Sequence, residues 1–242
     1  NTMLRWQLAR RAVSLHRTSC AVTAPPSLPG AALVVPGNAT LVGARATYFE
    51  RGASGPPPEP AGGWAASSNW CGMDAGPQML YPAQCIDGVV GQLGGRELRA
   101  SLEGRQCEVG AALATPPPHG SRLADAFSLL VHTNPPRWPR GEPEAESEWE
   151  ALLASCHTSA FQAAQEAARG ADQQLVVPLL GAGARGAPDE RAAAAAAKAA
   201  SSWLLATGST GEGQAEVMFC VVSVAAHAAL ESALRKATKD IF

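Results

Sequence analysis

Apolar residues in this chain fall into short runs cut by proline and glycine up to about residue 120, and into a regular strand and helix alternation beyond it. Ala31-Ala-Leu-Val-Val-Pro36 is an unbroken apolar run of strand length and reads as the first buried strand, after the turn-rich link Ala24 to Gly30. Residues 52–63 are so rich in proline and glycine that neither a helix nor a central strand can form, and they read as an inserted surface excursion. Ile86 to Leu102 carries helical spacing, Cys107 to Leu113 reads as a short strand, and Pro116-Pro-Pro-His-Gly120 breaks the chain. Phe127 to Thr133 is strand-like and is stopped by Asn134-Pro-Pro-Arg-Trp-Pro-Arg-Gly141. An acidic lead from Glu142 to Glu150 opens a helix whose face is Trp149, Leu152, Leu153, Cys156, Ala160, Ala163 and Ala167, with Gly170 expected as its C-cap. A strand at 174–180, a glycine loop, and a helix opened by Pro188 follow. A strand at 216–224 and a helix from His227 to Lys239 complete a pattern that predicts α/β layers around a buried sheet.

Charge is distributed unevenly. Arg5, Arg10, Arg11, Arg17 and Arg45 precede any acid, and all 21 Asp and Glu residues lie from Glu50 onward, although the net charge is only −2. A basic arm is therefore expected over residues 1–30, before a domain spanning 31–242 that carries an inserted excursion at about 50–82. Met3 to Cys20 is Arg-rich and free of acids, the composition of an organellar transit segment, and it is either such a segment retained or a mature arm. It would dock on an acidic protein face or an anionic membrane surface, or lie solvated. The overall charge gives no case for nucleic acid. The longest apolar run, Val217 to Leu230, contains Ser223 and His227 and is shorter than the ~20 residues of a spanning helix, so no transmembrane span is expected. The cysteines at 20, 71, 85, 107, 156 and 220 form no C-x-x-C pair and read as reduced core thiols, and no metal site is expected.

Chemistry concentrates after the strand that ends at Leu180. Gly181-Ala-Gly183-Ala-Arg185-Gly186 satisfies G-x-G-x-x-G between a strand and a helix, where glycines admit a close ligand and the first helical turn offers unpaired N–H groups to an anion. A dinucleotide fold would place this motif at its first strand and an acid at the end of the next one, which here ends Val222-Ser-Val-Ala, so the nicotinamide reading is rejected.

Three segments taken in order carry a more specific likeness: Val34-Val35-Pro36-Gly37-Asn38-Ala-Thr, Cys85-Ile86-Asp87-Gly88-Val89-Val90, and Leu180-Gly181 through Pro188. With Cys107 to Gly110 and Leu130-Val-His132-Thr between them, the chain resembles a divergent macrodomain over roughly residues 31–235. The resemblance implies a three-layer α/β/α sandwich with a mixed sheet, whose crest binds ADP-ribose and in some members hydrolyses it from proteins. It further implies that Asn38 touches the distal ribose, that Asp87 orients a water, and that the backbone of 181–186 cradles the diphosphate. The implied ligand-binding set is Asn38, Asp87, Gly88, Gly181, Gly183, Arg185 and Gly186, with Asp87 the catalytic candidate.

The chain also departs from the family pattern. No acid precedes Glu50 to read adenine, Val35 stands where an Asn is usual, a long insertion containing Asn69-Trp70-Cys71-Gly72-Met73-Asp74 separates Asn38 from Asp87, and Arg185 replaces an aromatic. These departures predict that ADP-ribose affinity is weak or absent. Structural alternatives stand beside each role: Asp87 as a helix N-cap, Asn38 as a turn former, Arg185 paired with Asp189 or Glu190, and His132 as a satisfied core histidine. The insertion would be a cover over the crest or a partner contact. The expected function is a non-catalytic accessory or scaffold subunit of a chloroplast or mitochondrial complex, joined to other subunits through residues 1–30 and 52–82, with no cofactor. The alternative is an ADP-ribose-binding module or ADP-ribosyl hydrolase.

Overall fold

A computed structural model describes residues 4–25, 30–41, 85–169, 171–206 and 213–241, together with the backbone of 49–50 and 79–80. The expected excursion, including Asn69 to Asp74, and Gly170 lie outside the described residues, apart from the two-residue strands β4 (Phe49–Glu50) and β5 (Met79–Leu80), which pair antiparallel.

The main sheet has seven strands: β1 (Leu4–Leu8), β2 (Arg11–Arg17), β3 (Ala31–Pro36), β6 (Ala112–Thr115), β7 (Phe127–Thr133), β8 (Gln173–Pro178) and β9 (Ala215–Val221). Their order is β1-β2-β9-β8-β3-β7-β6; the five inner strands run parallel and the two edges antiparallel, which makes the sheet mixed. Both faces are buried, as parallel strands require. Alternate residues supply each layer: Ala32, Val34, Val177 and Phe219 face one side, and Leu33, Val35, Val176 and Cys220 the other. Helices α3 (Glu146–Ala168), α4 (Asp189–Leu205) and α5 (Val224–Thr238) cover the first face, while α1 (Ile86–Leu102) and α2 (Arg122–Ala126) cover the second. The three-layer α/β/α sandwich expected from the sequence is thus the fold.

The expected N-terminal basic arm is instead part of the sheet. Leu4, Trp6 and Leu8 alternate with exposed Arg5 and Gln7, a period of two that defines a half-buried strand, and Ala9 in the left-handed region turns the chain into β2. Residues Arg11 to Leu15 of β2 are all buried, because this strand lies between β1 and β9. Arg11 is accommodated by donating to the carbonyl of Trp203 and stacking 5.2 Å from the centre of its ring. A composition dominated by arginine therefore concealed an ordinary strand pair.

Other boundaries shift for local reasons. The strand expected at Cys107 to Leu113 forms at β6, after a turn through Gly110 at φ +88°. Helix α3 ends on Arg169 in the left-handed conformation, one residue before the expected Gly170. Helix α1 is interrupted at Gly95, whose backbone leaves helical geometry. In α4 the buried face is almost all alanine, from Ala192 to Ala200, which brings the helix close to α3 and α5. Helix α5 starts at Val224 because the Ser223 hydroxyl accepts from the Ala226 N–H at 2.9 Å. Ser223→Ala is expected to cost ~1 kcal/mol of stability in denaturant unfolding, the usual value of an N-cap. Among the described residues no helix is long and apolar enough to cross a membrane, no three His, Cys, Asp or Glu side chains form a metal cluster, and five cysteines are free thiols.

Candidate functional site

The carboxyl ends of β3, β7 and β8 open onto one edge of the sheet, where open α/β sheets place their ligands. After β3 the Gly37 N–H donates to the Thr133 carbonyl at 2.8 Å, which ties this loop to the end of β7. The Asn38 side-chain oxygen accepts from both the N–H and the hydroxyl of Thr40, each at 3.1 Å. Asn38 thereby forms the turn that sequence reasoning offered as its structural role.

Asp87 lies in the first turn of α1, with Gly88 beside it, and is not the N-cap; that position is Cys85, which makes no capping bond through its side chain. The cap reading of Asp87 is overturned. Its carboxylate points towards Gly37, where an added Cβ would lie 3.8 Å from Asp87 Oδ1. Burial raises the Asp87 carboxyl to about 6, and the charge of Arg185 opposes the rise. The Cys85 thiol is pushed up to about 11 by burial and by Asp87, which makes it a poor nucleophile.

Arg185 reaches across the edge. Its Nη2 donates to the Gly37 carbonyl at 2.7 Å and to Asn134 Oδ1 at 2.8 Å, so it braces the loops after β3 and β7. The alternative pairing with Asp189 or Glu190 is not made among the described residues. Burial lowers the Arg185 guanidinium to about 10, with the neighbouring Arg137 charge acting in the same sense and Cys156 and Asp87 in the opposite one. Asn134 is the hub of this corner: its side-chain amide donates to the Cys107 carbonyl at 3.0 Å, and its own carbonyl accepts from the Cys156 thiol at 3.4 Å.

The glycine loop is held in shape by its own bonds, with Gly186 N–H donating to Gly183 O at 3.0 Å and Ala187 N–H to Gly181 O at 3.1 Å. Gly181 has φ +84°, and an added Cβ would lie 3.2 Å from Leu153 Cδ2, so both backbone conformation and packing require glycine there. Gly183 is exposed, and a Cβ there would meet nothing. Among the described residues the backbone N–H groups of Gly183, Ala184 and Arg185 have no hydrogen-bond partner. Successive free N–H groups in a turn form a concavity suited to an anion.

The structure thus gathers Gly37, Asn38, Asp87, the 181–186 loop and Arg185 at one edge. Sequence reasoning missed Asn134 and Arg137, which follow β7 in the proline-rich turn. Their signal was the position itself, directly after the carboxyl end of a buried strand. His132, by contrast, is buried and shares a 2.9 Å hydrogen bond with Thr115, and burial lowers it to about 4; it belongs to the core.

An α/β/α sandwich with a glycine loop and a carboxylate at the carboxyl ends of its strands defines the class. The Macro domain family model matches residues 75–196, and the chain belongs to that family. Among solved structures it is similar to the Oceanobacillus iheyensis macrodomain with MES bound, at 15% identity and TM-score 0.65, over 99% of this chain and 98% of that one. The macro domain of ganglioside induced differentiation associated protein 2 matches at 19% identity and TM-score 0.60, over 93% of this chain and 83% of that one. A Trypanosoma brucei macrodomain in complex with ADP-ribose matches at 16% identity and TM-score 0.56, over 91% and 68% respectively. At these identities the likeness is one of fold. No curated protein matches the sequence.

Proposed function

We propose that the crest of this macro domain binds ADP-ribose or a related nucleoside diphosphate, and that it reads the ligand without hydrolysing it. The carrying observation is the row of free N–H groups at Gly183, Ala184 and Arg185, set at the same sheet edge as the Arg185 guanidinium and Asp87. Backbone donors hold a diphosphate with no need for a particular side chain, which fits a chain that has changed so many of the surrounding positions. Hydrolysis has weaker support. The Asn38 side-chain oxygen is engaged by Thr40, and the one carboxylate among the site residues lies under the influence of a guanidinium.

The accessory-subunit reading rests on three features of the sequence: no acid ahead of Glu50 to read adenine, the Arg-rich beginning and the proline-rich excursion. With β1 and β2 built into the sheet, the first residues are not a free arm; the missing acid and the excursion still support the reading, and an organellar address rests on the Arg-rich composition. Removing those residues as a transit segment would expose the β9 edge.

Binding predicts a thermal shift. ADP or ADP-ribose at a hundredfold its dissociation constant should stabilise the protein by ~2.7 kcal/mol, read by calorimetric or fluorescence melting. Absence of any shift with both nucleotides at millimolar concentration would reject the proposal.

A further inference from the structure

We infer that Arg137 and Arg185 form an anion subsite for a terminal phosphate, so that the crest favours a nucleoside di- or triphosphate with a free phosphate end over a ligand that ends in a sugar. The inference rests on the crest being a nucleotide site, as proposed above, and adds which class of nucleotide it selects.

The two arginines are brought together by backbone. The Trp138 N–H donates to the Arg185 carbonyl at 3.0 Å, which fastens the turn after β7 to the glycine loop. Trp138 is itself fixed, with its ring edge-on to Trp149 at 4.7 Å and Arg191 stacked over it at 5.9 Å. Arg137 therefore sits beside the loop by construction of the fold.

Neither guanidinium is in direct contact with a carboxylate among the described residues. Both bonds made by Arg185 leave from one nitrogen, Nη2, and end on neutral acceptors, so Nε and Nη1 have no partner among the described residues. Arg137 is half-buried and, among the described residues, makes no hydrogen bond or ion pair. No salt bridge among the described residues includes either arginine; the four that form involve Arg191, His227 and Arg235. Asp87 is the single carboxylate whose charge acts on Arg185. Two partly desolvated like charges raise the energy of the empty site, and an anion bound between them lowers it.

The chemistry of the guest follows from charge and shape. A guanidinium presents parallel N–H groups that match two phosphate oxygens, and the free N–H groups of Gly183, Ala184 and Arg185 lie on the same loop to hold the adjoining phosphate. A terminal phosphate carries more charge and more free oxygens than one esterified on both sides. A ribose in the same place would leave the arginine charges uncompensated. ADP thus satisfies the site better than ADP-ribose does, since both phosphates of ADP-ribose are internal.

Titration calorimetry on the full chain tests this, with ADP, ADP-ribose and pyrophosphate as probes and Arg137→Gln as the variant, because Arg137 makes no hydrogen bond or ion pair among the described residues that the replacement would break. The wild type should bind ADP about tenfold tighter than ADP-ribose, and pyrophosphate measurably. Arg137→Gln should lower ADP and pyrophosphate affinity about tenfold, the loss of one charge-assisted hydrogen bond, and leave ADP-ribose nearly unchanged. Equal or tighter binding of ADP-ribose by the wild type overturns the inference while sustaining a nucleotide site. An Arg137→Gln protein with unchanged ADP affinity, or with equal losses for both nucleotides, overturns it as well. Failure of all three probes to bind removes the nucleotide site itself.

Discussion

His157→Leu is expected to stabilise the protein at pH 7 and to abolish most of its sensitivity to acid. His157 is completely buried on α3, 6.0 Å from the rings of both Phe161 and Phe219, and neither of its ring nitrogens has a hydrogen-bond partner among the described residues. An unpaired polar group in the core costs about 1–3 kcal/mol, and an apolar side chain of similar size does not incur that cost. Burial also pushes the imidazole down to about 3. The unfolded chain takes up this proton near pH 6.5 and the folded chain does not until about pH 3, so stability falls as pH falls through that window. At 1.36 kcal/mol per pH unit the loss is at most ~5 kcal/mol. His132, lowered to about 4, adds a loss of the same sign over a narrower pH range, which the variant retains. Urea unfolding at pH 7, 5 and 4 would show wild type and variant diverging as pH falls. A variant less stable than wild type at pH 7 would mean that the imidazole is hydrogen-bonded in the folded protein, and the prediction would fail.

Much of this architecture is legible in the order of the residues. The bounds of β3, α1 and β7 follow from continuous apolar runs and helical spacing, because a buried parallel strand needs both faces apolar and a short helix needs only one. β2 was illegible for the opposite reason. Its apolar residues Ala12, Val13 and Leu15 stand among arginines, and composition drew the reading towards a solvated arm although Leu4, Trp6 and Leu8 already alternate. Composition averages over faces, whereas a strand separates them. The crest divides in the same way. Asn38, Asp87 and the glycine loop could be marked because each follows a strand or opens a helix. The partners of Arg185 could not, since Gly37 and Asn134 lie 148 and 51 residues away and meet it only through the sheet order. Contacts between loops at the ends of non-consecutive strands depend on topology, which residue spacing does not encode.

Topology also decides what Asp87 does, and Asp87→Asn gives the second large effect. The carboxyl is raised to about 6 by burial, with Arg185 only partly opposing, while an unfolded aspartate ionises near 3.8. A raised folded value means that the folded state prefers the protonated form, so stability falls as pH rises from about 4 to about 6 and stays lower at neutral pH. A gap of roughly two pH units between the folded and unfolded carboxyl corresponds to ~3 kcal/mol. Asp87→Asn should therefore be more stable than wild type by up to ~3 kcal/mol at pH 7 and about equal to it near pH 3.5. The Asp87 slope has the opposite sign to those of His157 and His132 over about pH 4 to 6 and offsets only part of them, so wild-type stability should fall with acid there and the Asp87→Asn variant should fall more steeply. Binding separates the remaining roles. An ionised Asp87 repels a diphosphate held by Gly183 to Arg185, and its replacement by a neutral amide should leave ADP affinity unchanged or improve it. A tenfold loss of ADP affinity in a variant that gains stability would instead make Asp87 a direct ligand contact, and would assign its destabilising charge to recognition of the nucleotide.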